Sequence, residues 1–424
     1  MRSGLPDNLR SVDAPVAAPT HALDNPGFRR LVLVLAGVPI VITFLWRALI
    51  QPLVSGAYLG DFQESYLRAA ARLATNSDPY DLCRTVGCQE PTGPQYVMPP
   101  LLAWMLQPVV GIDSHLITVA VIVLLNASLV VFLLGTLRAL DVLDWQLAFL
   151  LVLVAISFGP VIGNIDEGQV NLVLLALSGM WLWSWVGGGK WGGAALGAAV
   201  ALKLIQAPAG VLVLWARRWS MLVVAAATGL VLWLVAAPQY LFEYLVSVLP
   251  VVSAGTGLYE NHSPGGTVAR LIDPGTFLGV VRGSPPAAQV ITTVIGIAAL
   301  VITLIVLRSP AKTRTGRGLE AAAIVAVTPI LASYSWGTHL VLLLLPMLVL
   351  VAWGVRNHDW TVLVLVAAGS ILIGPGGKWL QTLLVSGYAN FFVLNLMAEF
   401  GVVAIVAIWV GCLLAVRRER RRPV

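Results

Sequence analysis

Block after block of apolar residues runs through this chain from about residue 30 to its end, with short polar breaks between them. Each block is close to the roughly 20 residues that a helix needs to cross a bilayer. In hydrocarbon a backbone must satisfy its own hydrogen bonds, so such blocks fold as helices. Composition agrees: 58% of the 424 residues are hydrophobic and only 11% charged, whereas about 25% charged is usual in a water-soluble fold. The expected architecture is an all-α integral membrane bundle of about ten to twelve transmembrane or re-entrant helices. It forms one domain over 29–416.

The net charge of +6 does not point to nucleic acid, because the basic residues cluster beside apolar blocks. The clusters are Arg29-Arg30, Arg217-Arg218, Arg308 to Arg317 and Arg417 to Arg422, and the positive-inside rule places each in the cytoplasm. Residues 1–28 are rich in Pro, Ala and Asp without a signal-peptide core, and read as a disordered cytoplasmic tail; 417–424 reads as a basic one. Cys83 and Cys88 lie in a polar loop expected outside, where a local disulfide is a candidate.

Threading follows from these anchors. Segment 30–50 leads out, which makes 51–112 a first extracytoplasmic loop. Within it, Pro99-Pro100 to Ile112 is too short to span and carries Gln107-Pro108, so it is expected to lie along the interface. Segments 114–138, 145–163 and 169–186 then run in, out and in. The next stretch, 192–215, must begin and end inside, since Arg217-Arg218 follow it. Lys203 and Pro208 interrupt it, and a hairpin of two short arms is expected, with the break near the outer side. A single plain crossing is the other reading. Segment 219–237 leads out, 239–286 is a second large extracytoplasmic segment, and 287–307 leads in. Segments 319–334, 340–354, 359–374 and 392–416 close two outward hairpins, which leaves both termini cytoplasmic.

Under this threading the polar residues with no solubilising role gather on the outer side: Asp61, Glu64, Tyr80, Asp166, Glu167, Gln169, Asn171, Lys203, Glu260, Asn261, His262 and His339. Ionisable residues at membrane depth are costly and usually line a cavity or pathway, so this is the candidate site. Each has a plainer reading too. Asp61 could cap the helix expected to Leu73, with Glu64 as its capping-box partner. Gly163 to Asn171 could be a capped turn, and His339 a structural hydrogen-bonder. Lys203 either snorkels or meets an anion such as phosphate, while Tyr334, Ser335 and Trp336 suit stacking on a sugar ring. Glu260-Asn261-His262-Ser263 contains a sequon, to which no glycosylation is attached. No Walker loop, HExxH, CxxC or GxSxG motif is present, so soluble-nucleotide chemistry is not indicated.

The order of features completes the reading. An Asp-bearing outer loop with Asp78-Pro79-Tyr80 precedes the Pro-Pro segment. Gly168-Gln169-Val170-Asn171, Ala201-Leu202-Lys203, Arg217-Arg218-Trp219, Tyr244-Leu245, Asn261 and Ser335-Trp336-Gly337-Thr338-His339-Leu340 follow in turn. From about residue 31 to about residue 345 this set resembles the membrane glycosyltransferases of family 87, of GT-C architecture, which use polyprenyl-phosphate sugars. The resemblance implies a bacterial plasma-membrane enzyme with Asp61 as catalytic base, His339 assisting, and Gln169, Asn171 and Lys203 in the site. Two features depart from the family pattern: Met98 stands where an aromatic usually precedes the Pro-Pro pair, and the Cys83/Cys88 loop is an embellishment.

Transfer from a lipid phosphate needs a base for the acceptor hydroxyl and positive charge for the departing phosphate. Asp61 is expected to supply the first, and Lys203, with Arg270 or Lys378, the second; no cofactor or metal is expected. The partners implied are a lipid-linked sugar donor, with mannose favoured over arabinofuranose, a glycolipid or cell-envelope glycan acceptor, and membrane lipids. A secondary transporter or a lipid-carrier flippase is the alternative, since broken helices and buried charges also mark transport paths.

Overall fold

A computed structural model describes residues 26–56, 58–80, 95–277, 283–386, 396 and 398–422, with the backbone alone over 374–386. Cys83 and Cys88 lie outside the described residues, as does the side chain of Lys378. The described chain is helical, with no strand among the described residues. In order, the helices are α1 (Pro26–Leu45, continued by a π turn to Ser55), α2 (Arg68–Ala74), α3 (Leu101–Leu106), α4 (Ser114–Ala139), α5 (Trp145–Ser157), α6 (Gly159–Asp166), α7 (Asn171–Gly187), α8 (Gly192–Leu202) and α9 (Ala207–Trp215). There follow α10 (Trp219–Val235), α11 (Pro238–Ser253), α12 (Pro264–Ile272), α13 (Pro286–Leu307), α14 (Arg314–Leu331), α15 (His339–Asn357), α16 (Trp360–Ser386) and α17 (Phe400–Arg420).

Among the described residues five helices are individually long and apolar enough to cross a membrane, or up to seven spans if each bent pair counts as one. The protein is therefore an all-α integral membrane protein. Helix α7, with 17 residues, is only about 25 Å long. The core is built where α14 and α15 pass through the middle of the bundle: 83% of the apolar window of His339–Asn357 is buried, against 17% for the first helix. The lipid-facing ring is thus formed by helices such as α1, and the packing ring by α7, α14 and α15.

The bundle has two chemically different ends. At one, Arg314 donates to the Arg138 carbonyl, Arg317 to Val186 and Arg218 to Trp185. Arg356 donates there to Leu140 and Asp141, and Arg418 and Arg420 pair with Asp359 and Glu320. Basic side chains near helix C-termini meet carbonyls that the helices leave unsatisfied. At the other end lie Asp61, Glu64, Asp166, Glu167 and Gln169.

The stretch 192–215 folds as the hairpin. A Cβ at Gly193 would meet Met221 and Ala225, one at Gly197 would sit 2.2 Å from the Ala225 carbonyl oxygen, and Trp233 donates to the Ala201 carbonyl. Positions rise together along both helices, so α8 and α10 run parallel, and α9 between them must turn back. The break is at Lys203, in extended conformation (φ −158°, ψ 120°). Both ends of the hairpin return to the basic end, where Gly189 and Arg217 line one cavity.

Two short helices cover the opposite end as expected. The segment from Gly60 to Ala74 is helical and packs with α3, the interfacial segment after Pro99-Pro100. Helix α11 turns by 104° from α10 and lies across that end.

Candidate functional site

Asp61 does not cap its helix. Its backbone is already helical and its side chain makes no capping hydrogen bond; the carboxylate instead accepts from the Gln169 amide. Glu64 is no capping-box partner either, since it accepts from the Tyr58 hydroxyl. What turns Asp61 toward Gln169 is local. Residues 62–67 form a π turn, whose extra residue per turn alters which side chains share a face. In an α-helix residues five apart point about 140° away from each other. Here Asp61 and Tyr66 both reach Gln169, the Tyr66 hydroxyl donating to Gln169 Oε1 at 2.6 Å.

Gln169 is brought to that helix by Gly168. Its φ is +67°, and a Cβ there would lie 2.6 Å from the Phe62 Cβ and 3.0 Å from the Leu59 Cβ. Only glycine allows both the left-handed backbone and the approach. The Phe62 N–H donates to the Glu167 carbonyl across this contact at 3.1 Å.

From Gln169 the polar contacts continue without interruption. The Asn171 amide donates to Gln169 Oε1 at 3.4 Å and to Asn164 Oδ1 at 3.0 Å. Lys203 Nζ donates to Asn171 Oδ1 at 2.9 Å and lies 2.8 Å from His339 Nε2. An ammonium only donates, so Nε2 accepts and a neutral His339 carries its proton on Nδ1. Asn164 is fully buried and donates to the carbonyls of Pro160 and Thr338, which fixes the turn before His339. Five residues from the sequence, Asp61, Gln169, Asn171, Lys203 and His339, thus meet in one network. It draws on the first interfacial helix, the start of α7, the tip of the α8–α9 hairpin and the start of α15.

Two members of the network, Tyr66 and Asn164, were not singled out in the sequence. Tyr66 sits in the same Gly60–Tyr66 stretch as Asp61, but a spacing of five gives no shared face without the π turn. Asn164 stands seven residues before Asn171, and the turn between α6 and α7, with Gly168 at φ +67° and the Gln169 N–H donating to the Asn164 carbonyl at 2.8 Å, brings the two amides together.

Burial raises the Asp61 carboxyl above the usual carboxylate range, against the opposing pull of the Gln169 hydrogen bond and the Lys203 charge. Glu167 is raised as well, by burial and by the neighbouring Asp61 and Asp166 charges, while the Asp61 backbone N–H stabilises its anion. A raised carboxylate is a stronger base, which is the change that proton abstraction at neutral pH requires.

Other candidates stand apart from this network. Asp166 pairs with Arg47 at 3.4 Å, both partly exposed. Tyr80 is buried in a stack with Tyr96 and Tyr244 and donates to the Met98 carbonyl. Glu260 accepts from Tyr259. Trp336 packs against Tyr334 with ring centroids 5.4 Å apart. Asn261 is fully buried; its amide donates to the Thr256 and Ser333 carbonyls, and its Oδ1 accepts from the Ser263 and Ser335 N–H groups. It ties the segment after α11 to the loop before His339. His262 wedges against Gly401, and burial depresses its imidazole to about 4.

Arg270 is the clearest departure from the expected arrangement. It is buried and binds Glu399 through Nε and Nη2 at 3.1 and 2.8 Å, while Nη1 donates to the carbonyls of Gly257, Leu258 and Asn261. Its donors are spent on the protein, so it holds α12 to α17 rather than standing ready for a phosphate.

A family model described as Glycosyltransferase family 87 matches residues 96–333, more than half of the chain. Asn164, Gln169, Asn171 and Lys203 lie inside the matched stretch; Asp61 and His339, at the two extremes of the network, lie outside it. No curated protein matches the sequence.

Proposed function

The chain belongs to glycosyltransferase family 87, and from that membership we propose that it transfers a sugar from a polyprenyl-phosphate donor to a glycolipid or cell-envelope glycan on the extracytoplasmic face of a bacterial plasma membrane. Mannose is the favoured sugar. The observation that supports this reading best is the continuous network from Asp61 to Lys203 and His339, with a carboxylate at one extreme and an ammonium at the other.

The step uses both extremes. The acceptor hydroxyl oxygen attacks the anomeric carbon as Asp61 takes its proton, and the bond from that carbon to the phosphate oxygen breaks. The polyprenyl phosphate leaves on the opposite face, so the anomeric configuration inverts. Lys203 has three N–H donors, two of them engaged by Asn171 and His339; the third serves the phosphate as negative charge develops. Gln169, held by Tyr66, orients the Asp61 carboxylate. Transport would place the polar groups along a path through the bundle, whereas these collect at one end, away from the cavity lined by Arg217, Arg218 and Arg317.

The test is sugar transfer by purified protein in lipid, supplied with radiolabelled polyprenyl-phosphate mannose or arabinofuranose and a membrane glycolipid extract. Donor-dependent labelling from the mannose carrier, with inverted linkage in the product, is the expected result. Labelling only from the arabinofuranose carrier would overturn the sugar assignment. Retained configuration would overturn the single displacement.

A further inference from the structure

The end of the bundle away from Asp61 carries a cavity of about 440 Å³ that the transfer reaction does not use. Three arginines line it, Arg217, Arg218 and Arg317, together with Gly188, Gly189 and Ser220. Arg317 is held by the carbonyls of Val186, Ala311 and Lys312 at 2.9, 3.3 and 3.2 Å. Arg218 donates to the Trp185 carbonyl at 2.6 Å and lies 4.0 Å over the Trp185 ring. Carbonyls and rings orient guanidinium groups without cancelling their charge. The nearby carboxylate, Glu320, accepts from Arg420 and from the Ala311 N–H through Oε1. The Arg217 side chain, exposed at the mouth, makes no hydrogen bond among those of the described residues.

Backbone geometry adds to this. Helix α10 begins at the cavity wall, and the residue before it, Arg218, offers no side-chain cap. The first N–H groups of a helix have no acceptor within it, and here Trp219, Ser220 and Met221 line the cavity. Gly189 and Gly188 form the opposite wall, with φ +82° at Gly188. Guanidinium groups, free N–H donors and a hydroxyl around one cavity are the donor set that a phosphate takes.

What surrounds the cavity indicates where that phosphate comes from. Trp191, Trp215 and Trp219 stand around this end at 71%, 42% and 57% exposure, the placement of tryptophans at the level of lipid headgroups. We propose that this cavity binds the phosphate of an anionic phospholipid in the leaflet at the basic end of the bundle, with Arg217, Arg218 and Arg317 as its counter-charges and the start of α10 as its cradle. The headgroup pins the α8–α9 hairpin, whose two ends meet at the cavity, from the side opposite Lys203.

The test compares wild type, Arg217→Gln and Arg217→Lys, each purified in detergent and incubated with phosphatidylglycerol or phosphatidylcholine before native mass spectrometry. Arg217 makes no contact that holds the fold, so all three are expected to melt together without lipid. Wild type and Arg217→Lys retain phosphatidylglycerol through delipidation, Arg217→Gln loses most of it, and phosphatidylcholine is retained by none. Equal retention by all three proteins, or equal retention of both lipids, would overturn the proposal. Displacement of phosphatidylglycerol by millimolar inorganic phosphate would also overturn the lipid as occupant, in favour of a soluble phosphate compound.

Discussion

At the scale of single residues, the chemistry rests on a carboxylate whose surroundings raise its basicity. Because burial lifts the Asp61 carboxyl, the acid limb of kcat/KM against pH is expected above the ordinary aspartate value of about 3.9. The sign is fixed: transfer needs the anion, so activity falls as pH drops through the raised pKa. The Gln169 hydrogen bond pulls the other way, so Gln169→Leu moves the limb further up; a limb that stays in place would detach Gln169 from Asp61. Arg270 carries the opposite kind of role. Its guanidinium is buried against Glu399, and Arg270→Ala leaves that carboxylate the Thr267 hydroxyl but no counter-charge. An apparent loss of stability of about 3 kcal/mol, seen as a lower melting temperature in detergent, is expected. Asp61, Lys203 and His339 could be picked out in the sequence because an ionisable group beside an apolar block stands out, although spacing alone suited Asp61 equally as a helix cap; what joins them through Gln169 and Asn171 is seen only in the fold. Arg270 was misread for the same reason: its partner lies 129 positions away, and spacing cannot reveal it. Tyr66 and Asn164 were invisible because their residue types are ordinary at a helix end and only backbone irregularities bring them to Gln169.

At the scale of elements, the site depends on a helix that does not finish its crossing. The basic residues flanking 192–215 required both ends on one side, and that made the hairpin readable from charge alone. Its packing was not readable in the same way. Parallel α8 and α10 approach so closely at Gly193 and Gly197 that a side chain at Gly197 would enter the Ala225 backbone. Gly197→Leu must push α10 away and tilt the α8 arm that carries Lys203. Overpacking of this kind usually costs about 1–3 kcal/mol; transfer activity is expected to fall more steeply than the melting temperature. A variant with wild-type rate would show that the position of α8 does not set the position of Lys203. The interfacial helix after the first crossing was foreseen, but its π turn was not, because no residue type specifies one. That single irregularity separates a capping aspartate from one that faces the site.

At the scale of the whole molecule, charge is sorted between two ends. Arg138, Arg217, Arg218, Arg314, Arg317, Arg356, Arg418 and Arg420 gather at one, while Asp61, Glu64, Asp166, Glu167 and Glu260 lie at the other, where Arg47 pairs with Asp166. Under the proposed function the positive-inside rule puts the arginine end, and both termini with it, in the cytoplasm. Single cysteines placed at Glu260 and at Asn357, in a chain lacking its own three, test this in whole cells with a membrane-impermeant thiol reagent. Labelling is expected at 260 and not at 357, and the reverse pattern would invert the protein and with it the face on which transfer occurs. Fold class was legible because apolar block length and basic flanks are properties of the chain alone. Helix tilt, the bend between α5 and α6 and the deep burial of α15 were not, since they arise from packing among distant segments.

The most direct test of the central claim is the single-turnover transfer rate of Asp61→Asn, in protein shown to melt like wild type and to bind the lipid-linked donor. If Asp61 takes the acceptor's proton, the amide variant keeps its donor but loses transfer by about 10²- to 10⁴-fold, the usual worth of a general base. A rate within a few-fold of wild type would contradict it and move the base to another carboxylate at the same end, with Glu167, beside Asp61, the first to examine.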